Sequence, residues 1–131
     1  MIGIDTNILV RFLTNDDKVQ ARQVAKLIER QAVFIAKSVL LETEWVLRYT
    51  YEFKPAAILD AFKKFLGLPE ITIEDPVCIT QALQWYSHGL DFADALHLAS
   101  NQKAEKFATF DKNFIRKAKS LHIHTITQVP L

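Results

Sequence analysis

A chain of 131 residues, half of them hydrophobic, is long enough to bury roughly two thirds of its surface, so one globular domain over residues 1–131 is expected. A formal net charge of +1 with 24% charged residues excludes an acidic solvating tail or a polybasic arm as the organising feature, so any nucleic-acid contact must be local. The lone cysteine, Cys78, excludes an internal disulfide and a cysteine-based metal site, and reads as a small packing residue in a reducing compartment.

Met1 to Asp5 is a short apolar run ending in an acid, the pattern of a first buried strand. The segments ILVRFL and VQARQVAKLIERQ carry apolar residues at three- and four-residue spacing and predict two amphipathic helices. VFIA (33–36) predicts a second strand, and Ser38 is the expected N-cap of the helix containing VLLETEWVL. KPAAILDAFKKFLGL predicts a helix stopped by Gly67 and Pro69, followed by a third strand, ITI (71–73). Asp75 and Pro76 form a cap and first-turn pair opening PVCITQALQWYSH, which Gly89 closes. DFADALHLASNQ predicts a helix, FATF (107–110) a fourth strand, KNFIRKAKSL a helix and HTIT (124–127) a last strand. Short apolar strands alternating with helices imply an α/β fold with a parallel sheet and helices on both faces. Ligands of such sheets sit at the carboxyl ends of the strands.

Met1 leads directly into IGID rather than into a basic stretch and a long apolar run, and no segment approaches about 18 consecutive apolar residues. A cytoplasmic protein without a membrane span is expected. Charge is uneven along the chain. Residues 38–102 hold 4 lysines and arginines against 9 acids, net −5, whereas residues 103–124 hold 6 against 2, net +4.

Two glutamates interrupt the apolar run VLLETEWVL. With helix positions at intervals of about 100° from Val39, Val46 falls near 340°, Leu47 near 80° and Leu40 near 100°. On that wheel Glu42, at about 300°, lies within the apolar arc between Val46 and Trp45, while Glu44, at about 140°, lies toward Arg48 as a solvated ion pair. Glu42 is therefore expected to point coreward, which is costly for a carboxylate unless a cation meets it. Asp5 and Asp111 each end a predicted strand and precede a helix, positions that also suit N-caps. Asp94 sits at the third position of a capping box opened by Asp91.

Doubly wound topology brings Asp5, Glu42, Asp94 and Asp111 toward one edge of the sheet. Two like charges about 4 Å apart repel by roughly 4 kcal/mol at an effective dielectric near 20, so such a cluster calls for a cation. All-oxygen donors select Mg²⁺ or Mn²⁺. His122 and His124, two apart on a predicted strand, read as core or surface residues rather than ligands. A divalent ion on carboxylates suits attack on a phosphodiester, and the lysines and arginines of 103–119 are available for flanking phosphates.

MIGIDTNILVRFL, VLLETEWVL, DFADALHLA and FATFDKNF together resemble the PIN-domain family, and within it the VapC-type toxins of bacterial toxin-antitoxin pairs. The resemblance implies a three-layer α/β/α domain with a central parallel sheet of about four to five strands, and an Mg²⁺- or Mn²⁺-dependent endoribonuclease. It places the family's acidic positions on Asp5, Glu42, Asp94 and Asp111. By the same resemblance Asp5, Asp94 and Asp111 are direct or water-linked metal ligands, Glu42 positions the metal or its water, and Thr6, Asn7 and Thr109 orient them. Asn113 stands where relatives often carry a further aspartate. The resemblance also implies an RNA substrate, a small antitoxin partner and a homodimer. The expected activity is hydrolysis of RNA phosphodiesters by a metal-activated water, leaving a 5′-phosphate and a 3′-hydroxyl. Two other functions fit part of the pattern: a phosphotransfer domain, receiver-like or phosphatase-like, phosphorylated on Asp5, and an inactive PIN fold kept for binding.

Overall fold

The computed structural model describes residues 1–131 and contains seven helices and five strands. Its chain divides into two compact units, Met1–Pro76 and Val77–Leu131.

In the first unit, β1 (Ile2–Gly3), β2 (Val33–Ile35) and β3 (Ile71–Ile73) form a parallel sheet in the order β1-β2-β3. Val33 pairs with both Ile2 and Ile71, so β2 is central, and its Val33 and Ile35 are fully buried. Four helices connect or follow these strands: α1 (Thr6–Thr14), α2 (Lys18–Arg30), α3 (Lys37–Tyr49) and α4 (Pro55–Leu66). Aspartates cap α1 and α2, with Asp5 accepting the Ile8 N–H and Asp17 the Gln20 N–H, each at 3.0 Å. Leu9, Leu40, Leu47, Ile58 and Phe62 build the core on the inward faces of the helices.

The start of α3 differs from expectation. Ala36, not Ser38, is the cap residue and offers no side-chain bond. The acceptor comes from across the sheet instead: Glu74, just beyond β3, takes the Lys37 N–H on Oε1 at 2.9 Å while its own N–H donates to the Ile35 carbonyl. Propensity reads caps from neighbours in sequence, and this one is supplied from 37 residues away.

The two glutamates of α3 exchange the positions expected for them. Glu44 is buried, 1% exposed, and Glu42 is exposed. The buried face carries Leu40, Thr43, Glu44 and Leu47, which span about 40° to 140° on the wheel that starts at Val39. Hydrophobicity alone centres the face near Val39 and Val46, which are only half-buried, and takes in Trp45. Trp45 and Tyr49 are in fact 56% and 59% exposed, with ring centroids 5.2 Å apart. Glu44 is held by Arg48 one turn on: Nη2 donates to Oε1 at 3.2 Å, and Nε stands 2.9 Å from Oε2, within ion-pair distance but not aligned as a hydrogen bond.

In the second unit, β4 (Phe107–Thr109) and β5 (Ile126–Gln128) pair in parallel, with Phe107 opposite Ile126. The last strand thus begins two residues later than HTIT implied, and His122 and His124 are exposed residues ahead of it. Helices α5 (Pro76–Ser87), α6 (Phe92–Ser100) and α7 (Lys112–Ser120) complete the unit. Gly89, at φ 100°, makes the turn between α5 and α6, a conformation that costs a side-chain-bearing residue heavily. Cys78 is buried, as its reading as a packing residue required, with Sγ 3.3 Å from the Ser100 hydroxyl.

The architecture is therefore mixed α/β with exclusively parallel strand pairing. Pairing is continuous over three strands and again over two, rather than through one sheet of four to five. No helix is long and apolar enough to cross a membrane.

Candidate nuclease site

Asp5 and Asp111 each stand where a strand hands over to a helix, whereas Asp94 lies in the first turn of α6, which follows α5. Asp5 lies two residues past β1 and is the N-cap of α1; its Oδ1 takes the Ile8 N–H. The carboxylate is exposed, and capping engages only one of its oxygens. Thr6 behind it is buried, whereas Asn7 is exposed. Glu42, one turn into α3, is exposed. The argument that a coreward carboxylate demands a cation thus applies to Glu44, which has its guanidinium, and Glu42 is carried by the resemblance alone.

In the second unit Asp111 follows β4 and caps α7, its Oδ1 accepting from both Asn113 and Phe114 N–H at 3.0 and 3.1 Å. Thr109 Oγ1 in turn accepts the Asp111 N–H at 3.1 Å, which fixes the backbone that carries the carboxylate. Asn113 accepts from the Arg116 guanidinium, so the position that the resemblance sets against a further aspartate is neutral here and tied to a cation.

Asp91 caps α6 by accepting the Asp94 N–H at 3.2 Å. Half of the capping box is present, because no bond returns from Asp94 to the Asp91 backbone. Asp94 is half-buried, and its carboxyl is held above the ordinary carboxylate range, first by burial and then by the negative charges of Asp91 and Asp111, with His97 acting the other way. Burial disfavours the charged form, and two neighbouring carboxylates disfavour it further. Asp91 is the member that sequence reasoning took for a cap alone. The signal available was its spacing, since cap and third helical residue share one turn.

Within the second unit, the oxygens of Asp94 and the one that Asp111 keeps after capping suit a hard divalent cation by chemistry: carboxylates only, with a field at Asp94 that a cation would relieve. No three His, Cys, Asp or Glu side chains stand at the spacing of metal ligands. A cation held by one or two carboxylates keeps several waters, which is the usual habit of Mg²⁺.

Parallel α/β units take their ligands at the carboxyl ends of the strands, where Asp5 and Asp111 stand. The family is specific. A family model described as the PIN domain matches residues 2–120, and the chain belongs to the PIN domain family. PIN domains are generally nucleases that act on nucleic acid and typically use divalent metal ions. No curated protein matches the chain.

Proposed function

We propose that this protein is a divalent-metal-dependent endoribonuclease, the toxin component of a type II toxin-antitoxin pair, with residues 1–131 acting as one PIN domain. Asp5, Asp94 and Asp111 hold Mg²⁺ or Mn²⁺ directly or through water, Glu42 positions the ion or its water, and Thr6, Asn7 and Thr109 orient the ligands. The observation that carries the reading is Asp94, a half-buried carboxylate beside two others, since a site so arranged is relieved by a cation more than by any side chain within it.

Bound metal supplies charge neutralisation at the scissile phosphate and a lowered pKa for a water. The chain's own residues hold and orient. Thr109 fixes the backbone of Asp111 and the α7 cap fixes its carboxylate, so the free oxygen is presented without a side-chain search. The exposed cations of α7, among them Lys112 and Lys119, are available to flanking phosphates. The products are a 5′-phosphate and a 3′-hydroxyl. A small antitoxin that covers the site, and a homodimer, complete the reading.

The test is Asp5→Asn. Asparagine caps a helix as well as aspartate does, so thermal melting should be unchanged while RNA cleavage with Mn²⁺ is lost. Cleavage at the wild-type rate, with contaminating nuclease excluded, would remove the mechanism.

A further inference from the structure

Beside Asp5 the first unit holds a cleft of about 320 Å³ between α1 and α2. Its α2 wall is one helical face, Gln20, Gln23, Val24 and Leu27 at positions i, i+3, i+4 and i+7. Asn7, Ile8 and Arg11 face it from α1. Apolar and amide groups thus share the lining, and the volume lies at the small end of ligand pockets.

Charge decides what such a cleft can take. Its one cation is already committed: Arg11 donates from Nε to Gln20 Oε1 at 2.8 Å and from Nη1 to the Tyr51 hydroxyl at 3.1 Å, and pairs with Asp16 at 3.3 Å. Tyr51 also donates to Asp16, closing the network. With Arg11 balanced by Asp16 and Asp5 at the rim, the lining carries no free positive charge for a phosphate. The side-chain amides of Asn7 and Gln23, by contrast, make no bond within the protein. Each offers a donor and an acceptor side by side above an apolar wall.

A flat, neutral group with apolar faces and a donor-acceptor edge meets all of these terms. We propose that the cleft seats one unpaired nucleobase of the RNA strand, next to the phosphodiester cut at Asp5, with Gln23 reading its edge and Ile8, Val24 and Leu27 packing its faces. This rests on the ribonuclease reading and deepens it: it assigns base preference to a face of α2, a helix that carries none of the acids. Single-stranded RNA is read in this manner, by stacking and by hydrogen bonds to edges that pairing leaves open.

The experiment crosses Gln23→Leu, an exposed and nearly isosteric change, with oligoribonucleotides carrying one abasic position, moved stepwise through the nucleotides flanking a mapped cleavage site. In the wild type one abasic position should lower kcat/KM about tenfold, chiefly through KM, within the range measured for one stacked base. In Gln23→Leu the intact oligonucleotide should already be slower, and the same abasic position should cost several-fold less than in the wild type, because only the packing on Ile8, Val24 and Leu27 is left to lose. Abasic penalties of equal size in both proteins at every position would overturn the base pocket and leave the nuclease standing. So would a Gln23→Leu protein indistinguishable from wild type on RNA, the result expected if the cleft serves a peptide instead. A wild type that cuts no RNA with Mn²⁺ would overturn the nuclease reading and this inference with it.

Discussion

Arg48→Met tests whether the buried acid of α3 is as dependent on its partner as its surroundings imply. Glu44 is 1% exposed, so its carboxylate cannot recover water, and both of its oxygens face the Arg48 guanidinium at 2.9 and 3.2 Å. Arg48 is itself 26% exposed, leaving the cation a route to solvent that the anion lacks. Breaking a buried pair costs roughly 3–5 kcal/mol, and the partial exposure of Arg48 puts this case near the lower end, about 3 kcal/mol. Glu44→Gln keeps an acceptor for Nη2, and the cation keeps its route to solvent and the Tyr49 ring, so about 1 kcal/mol is expected. The asymmetry is the point of the comparison. Chemical denaturation at neutral pH should show a much larger fall in midpoint for Arg48→Met than for Glu44→Gln at equal slopes, and a melting temperature lower by roughly 10 °C. The double variant Glu44→Leu with Arg48→Met should recover most of the loss. An Arg48→Met protein no less stable than Glu44→Gln, or a double variant that loses the sum of the singles, would refute the reasoning.

Asp94 gives a pH signature in the metal-free protein. Its folded-state pKa is raised, so its contribution to stability is complete below the unfolded carboxylate value and is lost as pH rises through the folded one. Asp94→Asn should therefore melt higher than wild type at neutral pH, with the advantage vanishing in acid, as followed by circular dichroism across pH. Mn²⁺ should raise the wild-type melting temperature, less so as acid protonates the site, and should leave Asp94→Asn unmoved. Asp111→Ala removes the acceptor for two backbone N–H groups and should cost about 1 kcal/mol in denaturant unfolding, whereas Asp111→Asn should cost a small fraction of that while losing cleavage.

The order of elements was legible in the sequence because each carries a local signal. ITI is β3 residue for residue, Pro76 opens α5, and Gly89 ends the turn after it. What was not legible depends on partners distant in the chain. Ser38 has the residue type of a cap, yet Glu74 supplies the acceptor from beyond β3. HTIT has the composition of a strand, but pairing with β4 begins at Ile126. Within α3 hydrophobicity alone counts Trp45 into the apolar arc, and this exposed tryptophan shifts the apparent face away from Leu40 and Leu47. That error exchanged the roles of Glu42 and Glu44. The local positions of the aspartates were easier: a strand end followed by a helix start puts Asp5 and Asp111 at caps, and the spacing from Asp91 puts Asp94 in the first turn of α6. Their alternative role as caps also holds for Asp5 and Asp111, since one oxygen serves the helix and the other is left over.

That sharing has an evolutionary corollary. Helix starts ask only for an acceptor, and asparagine supplies one, so the negative charge at Asp5 or Asp111 can be lost by a change that folding hardly registers. Any chemistry that such a turn carries can therefore lapse without passing through an unfolded ancestor, and can return by the reverse step.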